Sequence, residues 1–190
     1  MINKIKADLR AAMNGVAAAR IRESGMGYRL VYGVEIPRLR EIAEGYTPDR
    51  HLAQELWGEN VRELKMLAIM LFPPKEMYRD RAMMWIDEIR PEQAELAGLL
   101  AMHLLAPQEY AADLAFCLIA DENEVRQLCG YLTMGRLIMQ GAQLAPHAEA
   151  ELRDQAQTAL AADYAPLRRA AANTLARLDT ETRPAAVVEC

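Results

Sequence analysis

Apolar positions recur along this chain at three- and four-residue intervals, in runs separated by glycine, proline or asparagine, a rhythm that predicts successive helices. Ile5, Leu9, Ala12, Met13 and Val16 open a first helix, which Gly25 and Gly27 close. Tyr28 to Val34 reads as extended chain. Pro37 suits the first turn of the next helix, carried by Ile36, Leu39, Ile42 and Ala43. Asp49 is placed to cap a helix holding Leu52, Ala53, Leu56 and Trp57. Beyond a turn at Gly58-Glu59-Asn60, a helix is lined by Val61, Leu64, Leu67, Ala68 and Leu71 and ended by Pro73-Pro74. Met77 to Ile89 predicts another. The next starts at Pro91, is apolar nearly all round from Leu96 to Leu105, and breaks at Pro107. Further helices are expected over 108–120, 123–139, 146–161 and 166–178, with a flexible tail over 181–190.

The helices come in pairs, and the pairs resemble one another. Val61-Arg62, Val125-Arg126 and Leu167-Arg168 each follow a polar turn, namely Glu59-Asn60, Asp121-Glu122-Asn123 and Asp163-Tyr164, and each leads into a helix rich in alanine or leucine. A repeat of roughly 40 residues with this texture predicts an all-α, HEAT-like α-solenoid of antiparallel helix pairs, with residues 1–180 as one domain. One pair cannot bury its own apolar face, so the pairs must stack, and the stack offers a concave surface for a partner.

Composition agrees with helices: hydrophobic residues make up 52 % of the chain, aromatic residues only 6 %. The β-branched and aromatic bias of a sheet protein is missing. Cys117, Cys129 and Cys190 are odd in number and form no CxxC, which reads as reduced thiols in a cytoplasmic protein. His51, His103 and His147 are scattered, without HExxH, so no metal or other cofactor is expected. The opening residues lack the apolar core of a secretion signal, and Leu96 to Leu105 is too short to span a bilayer. Ser24 is the one serine, and no nucleotide-binding glycine motif or GxSxG occurs. The net charge of −5 disfavours indiscriminate nucleic-acid binding. It is unevenly spread, however: residues 1–40 hold eight Lys or Arg against three Asp or Glu, which leaves room for a local basic face.

Two stretches carry more than helical rhythm. Tyr32-Gly33-Val34-Glu35-Ile36-Pro37-Arg38-Leu39-Arg40, and Leu56-Trp57 followed by Glu63 and Ala68, resemble the YGV-x-[VI]-P-x-LR and LW…E…A segments of the AlkD-like DNA alkylation repair family. The resemblance is best over residues 28–72. It implies a HEAT-like fold and, for enzymatic members, a glycosylase that excises cationic alkylated purines. Such an enzyme uses tryptophans to face the cationic base, a carboxylate to stabilise the charge that builds on the sugar, and arginines to hold phosphates.

Carried onto this chain, that set is incomplete. The family's W-D-x-x-D-like segment falls near Ile89-Arg90-Pro91-Glu92-Gln93-Ala94-Glu95, where no tryptophan stands and Glu95 is a lengthened counterpart of the catalytic aspartate. The K-A-x-x-W-x-L-like segment reads Arg169-Ala170-Ala171-Ala172-Asn173-Thr174-Leu175, with Asn173 in place of the ring. Arg126 matches a family arginine. The resemblance therefore implies a scaffold that has lost glycosylase chemistry. Its partner is either DNA, held by Arg38, Arg40, Arg126, Arg168 and Arg169, or a protein in the concave surface. The alternative is a divergent glycosylase using Glu95, or Glu88 with Trp85 one helical turn before it. Each residue has a plainer role beside the functional one: Trp57 and Trp85 as core, Arg126 and Arg168 as partners of turn carboxylates such as Asp121 or Asp163.

Overall fold

A computed structural model describes residues 1–181; all but the first residue of the expected tail lies outside them. Among the described residues there are eleven α-helices. They are α1 (Ile2–Ala11), α2 (Gly15–Glu23), α3 (Ile36–Glu44), α4 (Arg50–Trp57), α5 (Arg62–Leu71), α6 (Arg79–Asp87), α7 (Ala94–Leu100), α8 (Ala111–Ile119), α9 (Glu124–Met139), α10 (Pro146–Ala159) and α11 (Ala165–Glu181). The helices α4/α5, α8/α9 and α10/α11 pack as pairs, while α5, α7, α9 and α11 touch in succession. That succession is the stacking that a helical repeat requires. One apolar cluster extends from Ile5 in α1 to Leu178 in α11, so each pair buries its face against its neighbours.

The expected cap at Asp49 is present, and the structure adds a second at Asn123. Asp49 Oδ1 accepts from the Leu52 amide at 2.7 Å, and Asn123 Oδ1 from the amides of Val125 and Arg126 at 2.9 and 3.1 Å. Each satisfies amide donors that a helix start otherwise leaves without partners.

Three expectations need correction. The first helix is two helices, because Asn14 starts a new one: its side chain accepts from the Ala17 amide at 3.1 Å while its own amide donates to the Tyr32 carbonyl. Met13 and Val16 leave the apolar stripe as a result and stand 59 % and 67 % exposed. Helix α8 begins at Ala111, not at Gln108, whose side-chain amide bonds the carbonyls of Leu104 and Pro74 and holds the turn open. Finally, the run from Leu96 to Leu105 is not one α-helix. Ala101–Leu105 widens into a π-turn, closed by the Ala106 amide on the Ala101 carbonyl at 2.9 Å. Such a widening is uncommon and concentrates at functional positions.

Candidate nucleic-acid interface

The segment Tyr28–Val34 runs beside the start of α5. The Arg29 amide donates to the Asn60 carbonyl, the Arg62 amide donates to that of Leu30, and Leu30 and Val61 form an isolated parallel bridge. Behind it lies Glu63, wholly buried, whose carboxylate accepts from the amides of Tyr32, Gly33 and Val34 at 3.0, 2.9 and 3.3 Å. Gly33 has φ near +75°, a conformation a side chain disfavours, and this turns three successive amides toward one carboxylate. Arg62 bridges from this lock to α7. Its Nη1 reaches Glu63 and the Val34 carbonyl, both at 3.2 Å, and its Nε and Nη2 meet the two oxygens of Glu95 at 2.8 Å each.

Glu95, the carboxylate that the resemblance offered as a lengthened counterpart of a catalytic aspartate, is therefore held in a two-point ion pair, with the Tyr28 hydroxyl donating to it at 3.1 Å. Burial and then the Glu95 carboxylate push the Tyr28 phenol well above its usual range. Burial works against the Arg62 charge, but the hydrogen bonds and charges of Glu95 and Glu63 prevail and raise its pKa.

Both tryptophans lie inside. Trp57 and Trp85 stack with centroids 4.4 Å apart and planes 2° from parallel, and Phe72 presses its edge on Trp85. They are 3 % and 4 % exposed, and neither offers a free face to a base. Lys65 caps the stack, its ammonium 4.3 Å above the Trp57 ring and donating to the Trp57 carbonyl. Burial lowers the pKa of that ammonium. Glu88 does accept from an indole N–H, at 2.6 Å, but the indole is that of Trp57 and not of Trp85. Spacing within a helix pointed to the nearer tryptophan; stacking brings the one 31 residues away.

The three repeat arginines share one use: each is spent on acceptors inside the protein. Arg126 pairs through Nε and Nη2 with Asp87 at 2.7 and 2.9 Å, and through Nη1 with Asp121 at 2.8 Å. Arg168 donates to the carbonyls of Ala162 and Asp163. Arg62 completes the set. Of the remaining candidates, Arg38 pairs with Glu41 at 2.5 Å, whereas Arg40 and Arg169 are exposed and have no side-chain partner among the described residues.

Sequence reasoning missed a different group. Arg136 in the last turn of α9 and Arg177 in α11 also have no side-chain partner among the described residues. The Arg136 Nε is nonetheless buried, as is the Nε2 of His103 in the π-turn. The charges of Arg40 and Arg136 both reach His103. Arg177 lies over Gly135, where no Cβ stands in its way, and follows Arg169 and Asn173 at four-residue steps along α11. The outcome is a set of four unneutralised cations, Arg40 on α3, Arg136 on α9, and Arg169 and Arg177 on α11. The available signal was the absence of acids three or four residues from Arg136, but only the packing of α9 against α11 brings Arg177 over Gly135, next to Arg136.

The pattern of the DNA alkylation repair enzyme family matches residues 5–187. The chain belongs to that family. Among solved structures it resembles one described as "a new family of proteins related to the HEAT-like repeat DNA glycosylases with affinity for branched DNA structures". The TM-score is 0.78 at 18 % identity, over 93 % of this chain and 74 % of that one. No curated protein sequence matches.

In this DNA alkylation repair family member, no group of three or more His, Cys, Asp or Glu among the described residues is placed to hold a metal ion, and no described helix is long and apolar enough to cross a membrane. Its two described thiols differ sharply. Cys129 is wholly buried, and burial followed by the nearby Asp87 pushes it up to about 12, whereas Cys117 is exposed with its Sγ accepting from Arg79 at 3.2 Å. A thiol reagent is expected to modify Cys117 and spare Cys129 in the folded protein, and to modify both in denaturant; peptide mass spectrometry reads the difference.

Proposed function

We propose that this family member binds nucleic acid through its set of free cations and does not excise bases. The observation that carries the reading is the state of Glu95. A glycosylase carboxylate stabilises positive charge developing on the sugar, and it does so through its own net negative charge. Here the Arg62 guanidinium already compensates Glu95 at two points and Tyr28 donates to it as well. The two tryptophans, packed on each other, add no ring for a cationic purine. Binding needs neither group. Arg40, Arg136, Arg169 and Arg177 are cations without acidic partners among the described residues, the arrangement that phosphate contacts use. The affinity of the structural relative for branched DNA favours a nucleic-acid partner over a protein.

Two measurements on the purified protein test this. Methylated DNA is expected to release no free alkylpurine above background, and release that Glu95→Gln abolishes would establish the glycosylase instead. Linear and branched duplexes are expected to bind with a log–log salt slope of about −3 to −4, the value for roughly four phosphate contacts. Absence of binding at low salt would remove the nucleic-acid reading and leave a protein scaffold.

A further inference from the structure

The π-turn in the middle of the stack has a cost that its packing does not explain. It breaks the α-helical hydrogen-bond pattern of an otherwise apolar segment, and at its centre it sets a histidine, not another leucine. The His103 Nε2 is buried without a partner, and so is the Arg136 Nε on the adjoining helix. Buried polar nitrogens are ordinarily satisfied, and each of these two, on neighbouring elements, is left to an acceptor from outside the chain. An open cleft of about 440 Å³ reaches His103, lined also by Arg40, Glu44, Tyr46 and Met70. Attraction to helix C-terminal dipoles would place cations here, but it would not leave their nitrogens buried and unbonded.

We infer that Arg40, His103 and Arg136 form a notch for one phosphate group, and that filling it places a proton on His103. The inference rests on the nucleic-acid reading above for the source of the phosphate, a backbone diester. The surroundings of His103 fit an anion. Arg40 lines the cleft beside it from α3, and the charge of Arg136 reaches it from α9, while α5 contributes Met70 and Leu71, which carry no charge. The one carboxylate lining the cleft is Glu44, which is exposed, and the Tyr46 hydroxyl is already spent on Asp8.

In the free protein, burial and the two guanidinium charges hold His103 below the usual histidine range, so the ring is neutral near pH 7. An arriving phosphate reverses the balance, because its negative charge lies beside both ring and guanidinium groups. Protonation and binding then favour each other. The signs follow: acidification through the histidine range destabilises the free fold, in which His103 resists charging, but strengthens phosphate binding.

The test measures binding of a branched duplex at about pH 6 and about pH 8, the two sides of the ordinary histidine pKa. Wild type is expected to bind about tenfold more tightly at the lower pH, the equivalent of a shift of one unit. His103→Gln is expected to bind independently of pH, with its thermal midpoint confirming that it folds. Arg136→Met is expected to weaken binding at both pH values. A wild type indifferent to pH, or a His103→Gln variant as pH-sensitive as wild type, would overturn the notch. In a second arm, the His103 ring proton is followed by NMR with inorganic phosphate alone. A His103 pKa raised by phosphate without duplex binding would keep the notch and refute the nucleic-acid reading. No response to phosphate, with salt-dependent duplex binding intact but flat with pH, would do the opposite.

Discussion

Replacing Glu63 with alanine is expected to lower the stability of the protein by about 3–5 kcal/mol, the range for removing one member of a buried charged network. The carboxylate is wholly inaccessible and serves four donors at once: the amides of Tyr32, Gly33 and Val34, and the Arg62 guanidinium. Alanine leaves all four facing a void. Water competes poorly for buried amides, so each lost acceptor costs more than an average hydrogen bond contributes. Glutamine is expected to cost about half as much, since its one carbonyl oxygen still accepts while its NH₂ confronts donors. Urea titration of the three proteins measures the order, and hydrogen exchange at residues 32–34 locates the damage. A Glu63→Ala protein within about 1 kcal/mol of wild type would show that the lock contributes little to stability.

That lock marks the boundary between what the chain discloses as a sequence and what it does not. Tyr32-Gly33-Val34 and Glu63 were recognisable as motif residues, yet nothing in their 29- to 31-residue separations announced that they bond to each other. Local features fared better. Helical periodicity located the helices, and Asp49 signalled the start of one, because caps act within three residues. The break at Asn14 was missed because Met13 and Val16 extend the apolar rhythm even though both side chains are exposed. The π-turn was missed because an all-round apolar run fixes burial but not hydrogen-bond register.

Site residues divide in the same way. Asp121 was within local reach of Arg126, but Asp87 comes from another helix pair, and the two together are what consume the guanidinium. Glu88 was paired with the tryptophan nearest in sequence instead of the one nearest in space. His103 was noted only as one of three scattered histidines, and Arg136 and Arg177 drew no notice at all. A cation matters at an interface when nothing inside the protein neutralises it, and that becomes visible only once every helix is in place.

The family resemblance, then, is densest in residues that hold the fold, and Gly33→Ala shows how much depends on them. This substitution is expected to cost about 3 kcal/mol or more, from two sources that act together. The backbone at Gly33 has φ near +75°, where any Cβ is strained. The added atom would also lie 2.5 Å from the Ala18 nitrogen and closer still to the Asn14 carbonyl oxygen, both backbone atoms that cannot turn aside. Relief requires either α2 to move outward or the segment 32–34 to leave Glu63, and each route exposes apolar surface or strands the buried carboxylate. The double variant Gly33→Ala, Glu63→Ala should therefore lose clearly less than the sum of the single losses, because both release the same segment. Additive losses in urea titration would mean that the two residues hold separate parts of the fold. Sub-additive losses, with pH-dependent duplex binding retained below the unfolding transition, would place the shared signature in the scaffold and the partner-binding cations elsewhere. A chain can then keep the family's framework while its catalytic groups change, since the residues that preserve the one are not those that perform the other.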